Sequence, residues 1–325
     1  MNSANKILVT GAGGFIGGWL VQDLVNNGYS NVVAVDIKDI SDWYQSSAEA
    51  QNLVLDLRKS EDCMKAIHGA NVVFNLAADM GGMGFIENNK ALCMVSVLIN
   101  TNLLKLSIEE GISKYFFASS ACVYNQSLQT RSHNLGLRES DAYPADPEDG
   151  YGWEKLFSER MCNHFHEDFN LDVRVGRFHN VYGPHGTYNG GREKAPAAVC
   201  RKLAEAVISG KHEIEIWGDG EQTRSFTYIK DTLDGINLMM KHKYTQPLNI
   251  GSSEEVSINQ LVGIVEEIAG ISVHRKYNLN APKGVRGRNS DNTLIKHLFD
   301  WEPSISLKEG LTETYNWIYQ DMLSK

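Results

Sequence analysis

Apolar residues along this chain follow two alternating rhythms. Short unbroken runs, as in Lys6-Ile-Leu-Val-Thr10, give way to stretches where apolar positions return every three or four residues. A strand covered on both faces produces the first rhythm, and a helix with one covered face the second. The runs predict strands at 6–10, 31–36, 52–55, 71–75, 114–118 and 172–175. Helical spacing extends from Phe15-Ile16 and Trp19-Leu20 to about Val25, over about 88–110, and over most of 147–169. Strands and helices in alternation build parallel sheets with crossovers on both faces. The expected class is α/β with a doubly wound parallel sheet.

From about Asn180 the pattern loosens. Gly and Pro cluster in Tyr182-Gly-Pro-His-Gly-Thr-Tyr-Asn-Gly-Gly191 and again in Pro282-Lys-Gly-Val-Arg-Gly-Arg288. We expect a dinucleotide-binding domain over 1–178, joined by about 226–250, and a smaller mixed α/β lobe made mainly from 179–325. A chain of 325 residues has ample length for two such lobes. Hydrophobic residues at 42% and charged residues at 22% lie in the ordinary globular range. A net charge of −9 argues against a general nucleic-acid binder, so an anionic ligand needs a local basic pocket. No apolar run is expected to reach the length of a membrane span, and the N-terminus has no signal-peptide pattern. Cys63, Cys93, Cys122, Cys162 and Cys200 are scattered without metal spacing, which points to reduced thiols, a cytoplasmic setting and no metal.

The candidate chemistry begins where the first strand ends. Gly11, Gly14 and Gly17 separate it from the first helix, the strand–turn–helix context of a Rossmann-like dinucleotide site. An ordinary Gly-rich turn is the plainer reading of those three residues alone. The second strand ends in Asp36, 25 residues after Gly11. A carboxylate there can bind a ribose diol and repels a 2′-phosphate, so NAD is favoured over NADP, with Lys38 nearby as a counter-signal. Tyr151 and Lys155 are spaced to share a helix face. A neighbouring ammonium favours a phenolate, and a phenol so tuned can take an alcohol's proton as hydride leaves for a nicotinamide. Alone the pair is as well read as an exposed helix face; the glycine turn strengthens the catalytic reading. Ser120 ends the fifth strand and can bond the reacting oxygen. Asp56 and Asn75 lie at strand ends where cofactors bind, and each also reads as a loop cap.

Gly11-x-x-Gly-x-x-Gly17, Asn75-Leu-Ala-Ala78, Ser119-Ser-Ala-Cys-Val-Tyr124, Tyr151-x-x-x-Lys155, Asn180-Val-Tyr-Gly-Pro184 and Gly218-Asp-Gly-Glu-Gln-Thr-Arg224 resemble the extended short-chain dehydrogenase/reductases that act on nucleotide sugars. Four longer strings resemble one branch of that family, which inverts C3 and C5 of a GDP-linked mannose. They are Ala77-Ala-Asp-Met-Gly-Gly-Met-Gly-Phe85, Gly191-Arg-Glu-Lys-Ala-Pro-Ala-Ala198, Gln222-Thr-Arg-Ser-Phe226 and Gly284-Val-Arg-Gly-Arg-Asn-Ser-Asp291. The resemblance implies transient C4 oxidation by Tyr151, Lys155 and Ser120 with bound NAD, then proton exchange by Cys122 and Lys194. Read without it, Cys122 is a small core residue and Lys194 a loop cation. Nearby positive charge is expected to lower the Cys122 thiol into the range of a neutral-pH base. Which of the two serves each carbon stays open.

The same resemblance places Phe15, Ile16, Leu76 and Ala77 with the glycines, Asp36 and Asp56 at the cofactor. It places Gly81, Ala121, Asn180, Glu193, Ala195, Gln222 and Thr223 around the substrate. Lys202, Arg224 and Arg288 fall at its diphosphate, and guanine as the base rests on the resemblance alone. A homodimer built from the helices near 88–110 and 149–168 is also implied. Departures occur at Asn125-Gln-Ser127, at Tyr143-Pro-Ala-Asp-Pro147 and at Lys325, where members of the branch run on into longer tails. The competing readings are another NAD-dependent nucleotide-sugar epimerase or a dehydratase, and a non-catalytic dinucleotide sensor. A dehydratase places acidic residues after the active-site Ser, where this chain has Ala121 and Cys122; a sensor tends to lose the Tyr or Lys.

Overall fold

A computed structural model describes residues 4–325. Strands β1 (Ile7–Thr10), β2 (Val32–Asp36), β3 (Gln51–Val54), β4 (Val72–Asn75), β5 (Lys114–Ser120) and β6 (Val173–Phe178) join a seventh, Leu248–Ile250, in one sheet. Its order is Leu248–Ile250, β6, β5, β4, β1, β2, β3, and every neighbouring pair is parallel. The chain leaves β1 toward one edge and returns at β4 toward the other. The crevice between the carboxyl ends of β1 and β4 is therefore the topological switch point, where ligands bind in such sheets.

Both faces are covered. Ile7 and Val9 pack with Leu20 and Leu24 of α1 (Phe15–Asn26) and with Ile229 and Ile236 of the helix Ile229–Lys241. Leu8 faces the other way, against Cys63 of α2 (Ser60–Ile67). The short helices α3 (Met83–Asn88) and α4 (Lys90–Val95) lead into α5 (Val97–Glu109), whose Leu103 and Leu104 join that second cluster. Helix α6 (Tyr151–Phe169) completes it with Cys162. Every residue of β1, β2, β4 and β6 is buried, which is why those runs lack a polar alternation.

Three expectations are revised. Helix α6 starts at Tyr151 rather than near 147, because Gly150 sits at φ +72° and breaks the helical path. The strands β5 and β6 run on to Ser120 and Phe178, which pair with each other at the sheet's edge. An apolar stretch does reach membrane-spanning length: Lys90–Glu109 is long and apolar enough by length and composition, with mean hydropathy 1.6. Its inner face carries Asn100, whose side chain accepts bonds from Tyr115 and Asn75, so it is docked on the sheet. Its outer face exposes Met94, Val95 and Leu98, which is what makes the whole stretch so apolar.

Beyond β6, α7 (Ala195–Ser209) packs with the helices Ile258–Ala269 and Leu307–Leu323. Thr223–Ser225 forms a small sheet between antiparallel Glu255–Ser257 and parallel Gly287–Arg288. That sheet carries Arg224 and Arg288 toward the turn after β5.

Candidate active site

The cradle at the switch point is built by backbone. Thr10 Oγ1 donates to Asn75 Oδ1 at 2.9 Å and accepts from Leu76 and Ala77 N–H, each at 3.2 Å. This stitches the turn after β1 to the turn after β4. Gly11 has φ +70°, and a Cβ on it would lie 2.9 Å from the Leu76 carbonyl. A Cβ on Gly17 would lie 2.2 Å from Gly11 O, so the first helix can approach only as glycine. Phe15 and Ile16 open that helix, with the Phe15 ring against Gly186. Asp36 accepts from Gly13 N–H and Lys38 N–H, both at 3.0 Å, and Lys38 Nζ donates to Gly13 O. The counter-signal from Lys38 is thus tied to backbone. The tight glycine turn with an acid at the end of β2 is a donor and acceptor set that fits NAD. Asp56 is gripped by Arg58 through Nε at 2.8 Å and Nη2 at 2.9 Å, which lowers its carboxyl. Asn75 faces the core, where its amide donates to Asn100 and Tyr115.

Tyr151 is the first residue of α6 and is buried, with the Ser120 hydroxyl beside its phenol. Farther along α6, Arg177 of β6 forks onto Glu159 at 2.9 and 2.7 Å, and Ser119 bonds the same carboxylate. That buried network fixes the helix against the sheet beneath the site. Lys155 lies one turn after Tyr151. Its ammonium is 4.7 Å from the centroid of the Phe117 ring, 5.6 Å from that of Tyr151, and 3.5 Å from Glu154. The expected lowering of the phenol is not found. Burial, then Cys122 and Glu154, push Tyr151 well above its ordinary range, and only the Ser120 bond opposes them. Residue spacing showed that Lys155 and Tyr151 share a face, but not that Glu154 and two rings share the ammonium.

A second constellation borders the first. Cys122 sits in the turn Ala121–Val123 that follows β5, where Ser120 Oγ accepts its N–H at 3.2 Å. Arg288 is buried, with Nη1 3.5 Å from the Cys122 sulfur, Nη2 2.7 Å from Glu148 Oε1 and Nε 2.6 Å from Gln129 Oε1. Lys194, at the N-cap of α7, interacts electrostatically with Cys122, Arg288 and Glu148, and burial pushes its ammonium down. The Cys122 thiol is not lowered, contrary to expectation. Burial and the Glu148 carboxylate outweigh Arg288 and push it up to about 11.

Tyr151, Ser120, Cys122, Lys194, Arg224 and Arg288 therefore converge. Arg224 reaches Val285 O at 2.7 Å and is depressed by burial and by Arg288. Gly81 packs on Phe85 and Arg192, while Gly82 N–H bonds Arg192 O, and this holds the 79–85 loop on the segment before Lys194. Asn180 bonds Ser225 O, Gln222 bonds Trp217 O, and Thr223 bonds Glu255. Glu193 accepts from Gly191 N–H, Ala195 opens α7, and Lys202 donates to Glu215 O, farther along that helix. Sequence reasoning missed Glu148 and Gln129. The one available signal for Glu148 was an acid three positions before Tyr151.

Residues 7–251 match the family model described as NAD dependent epimerase/dehydratase family, and the chain belongs to that family. It is 44% identical to the GDP-mannose 3,5-epimerase of Arabidopsis thaliana, over 98% of this chain and 83% of that protein. Identity is also 44% to GDP-mannose 3,5-epimerase 1 of Oryza sativa subsp. japonica, over 98% and 82%. Among solved structures, the UDP-glucose 4-epimerase of Thermotoga maritima with UDP-glucose superposes with a TM-score of 0.87 at 27% identity, covering 97% of this chain and 99% of that one. MoeE5 in complex with UDP-glucose and NAD gives 0.81 at 28%, over 98% and 99%.

Proposed function

We propose that this member of the NAD dependent epimerase/dehydratase family is a GDP-mannose 3,5-epimerase, giving GDP-L-galactose and GDP-L-gulose. The observation that carries the reading is the meeting of Cys122 and Lys194 beside Tyr151. A 4-epimerase inverts C4 by moving hydride and needs only the tyrosine side of this site; inversion at C3 and C5 moves protons on carbon and needs further groups to give and take them.

Gly11, Gly14, Phe15, Ile16, Gly17, Asp36, Asp56, Leu76 and Ala77 would hold NAD, with Tyr151 and Lys155 beside its reactive end. NAD when bound supplies reversible hydride acceptance from C4 of the sugar. Tyr151 takes the proton of the C4 hydroxyl while Ser120 orients that oxygen. A ketone at C4 acidifies the hydrogens on C3 and C5. Cys122 and Lys194 are separate proton carriers, so a proton can leave one face of the carbon and arrive on the other. Arg224 and Lys202, with Arg288 at the reacting end, supply the positive charge that a dianionic GDP-sugar requires.

Exposed Met94, Val95 and Leu98 on α4 and α5, with Trp153 and Phe157 on α6, form an apolar face suited to a homodimer. All five cysteines are free, which fits a reducing, cytoplasmic setting. The test is incubation with GDP-mannose in heavy water followed by NMR of the sugar. Deuterium at both C3 and C5 is expected. Deuterium at neither carbon would sink the assignment.

A further inference from the structure

Glu148 lies outside every role described so far, yet it is buried beside the reacting groups. It occupies the segment just before α6, and its backbone N–H donates to Cys122 O at 3.0 Å. One carboxylate oxygen takes Arg288 Nη2 at 2.7 Å. The other, Oε2, is buried with no hydrogen-bond partner. Arg288 cannot swing away easily, since Nε is tied to Gln129 and Nη1 lies on the Cys122 sulfur. Arg288 is thus held through three of its nitrogens, one of them on a carboxylate.

Charged and titratable groups from several elements surround the sulfur. Glu148 comes from the segment before α6, Tyr151 from its first residue, Arg288 from the strand Gly287–Arg288, Arg224 from Thr223–Ser225, and Lys194 from the N-cap of α7. Glu148 is the anion among three cations. We propose that Glu148 is a positioning residue for the proton-exchange pair: it anchors Arg288 on the sulfur of Cys122 and keeps that sulfur a proton donor in the substrate-free enzyme. The proposal rests on reading Cys122 as a proton carrier.

Another role for Glu148 would be a base that strips the thiol. Burial works to raise its carboxyl, but Arg288, the Cys122 thiol and Arg224 together outweigh burial and hold it below the usual range, whereas the thiol is pushed up. The proton therefore stays on sulfur, and Glu148 acts by charge and by anchoring.

The test is the pH dependence of Cys122 alkylation by iodoacetamide in the NAD-loaded full chain, read by mass spectrometry of the Cys122 peptide. Glu148→Gln keeps the shape and an acceptor for Arg288 but removes the charge. Its alkylation midpoint is expected to fall by about one unit or more, a tenfold rise in thiolate. Glu148→Asp, which retains the charge, is expected to stay near wild type. An unchanged midpoint in Glu148→Gln overturns the proposal. If that variant does not fold, Arg288→Gln leaves the carboxylate unopposed and must raise the midpoint; no rise overturns the proposal equally. The titration uses no sugar, so a chain that fails to deuterate GDP-mannose would lose the epimerase assignment while this result stood. Where exchange does occur, its pH profile in Glu148→Gln must move with the thiol. A loss of amplitude at fixed pH dependence marks a purely structural role and also overturns the proposal.

Discussion

Replacing Gly152 with alanine sets two effects of opposite sign against each other. Inside a helix, alanine is favoured over glycine by about 0.8–1.0 kcal/mol. Gly152, however, is the second residue of α6 and is buried against the turn that carries Cys122. A Cβ there would lie 2.3 Å from Cys122 O and 3.1 Å from Pro147 Cβ. Cys122 O already accepts the Glu148 N–H at 3.0 Å, so it has no free direction in which to retreat. Relief to an ordinary carbon–oxygen contact of about 3.3 Å needs a shift of about 1 Å between helix and turn. That shift separates Tyr151 from Ser120 and Cys122, and misplacement by about 1 Å costs on the order of 10²-fold in rate. Overpacking costs about 1–3 kcal/mol, which exceeds the propensity gain. Gly152→Ala is thus expected to melt earlier and to exchange sugar hydrogens for deuterium about a hundredfold more slowly. Bound NAD should be retained, since the turn at Gly11–Gly17 lies between β1 and α1, away from this contact. A variant that melts later than wild type and exchanges at the native rate would refute the packing argument.

Cys122→Ala and Lys194→Ala should each cut C3 and C5 exchange by about 10²–10⁴-fold. Reduced cofactor, followed by its absorbance on mixing with GDP-mannose, should still form; if it vanishes too, these residues are not specific to proton exchange. Phe157 is 55% exposed on the proposed dimer face, so Phe157→Glu should convert dimers to monomers in sedimentation, and an unchanged mass would move the interface elsewhere. His179 is buried, bonds Asn249 Oδ1 at 2.8 Å through Nε2, leaves Nδ1 without a partner, and is lowered to about 3 by burial. Its unfolded value is about 6.5, so its contribution is complete above that pH and declines as pH falls toward the folded value. Urea unfolding should show about 2 kcal/mol lost from this residue between pH 6.5 and 5, a loss missing from His179→Gln. Equal slopes for the two proteins would contradict it.

The sheet was legible because its strands are covered on both faces. Runs such as Ile7–Thr10 and Val72–Asn75 carry no polar alternation, and the close turn between β1 and α1 leaves room only for glycine at 11 and 17. Element ends were harder to read. The segment from Pro147 to Gly150 has the composition of a helix start, but Gly150 takes a positive φ and delays the helix to Tyr151. The stretch from Lys90 to Glu109 hid its character for a different reason. Asn100, Asn102 and Lys105 make it look like an ordinary amphipathic helix, yet its outward side also carries Met94, Val95 and Leu98. A helix with one face on its own sheet and Met94, Val95 and Leu98 on the other is apolar nearly all round.

The spacing of the proposed catalytic pair was legible, but the charges around it were not. Tyr151 and Lys155 could be placed on one face from their numbers alone, and Cys122 and Lys194 from the strings around them. Their proton affinities depend on partners far away in the chain: Arg288 meets Glu148 across 140 positions and Cys122 across 166. Positive charge near a thiol was expected to lower it. The charge is present, but Glu148 cancels much of it and burial does the rest. A cation lowers a neighbouring thiol only to the extent that its own counter-ion lies elsewhere. A dianionic substrate bound as proposed among Arg224, Arg288 and Lys194 would redistribute those pairings. Any contact that draws the Arg288 fork off Glu148 brings the bare carboxylate to bear on the sulfur and strengthens its hold on the proton. A contact that keeps Arg288 on the sulfur while shielding Glu148 releases that proton. In the proposed exchange, the position of one guanidinium between two neighbours thus sets whether Cys122 gives or takes.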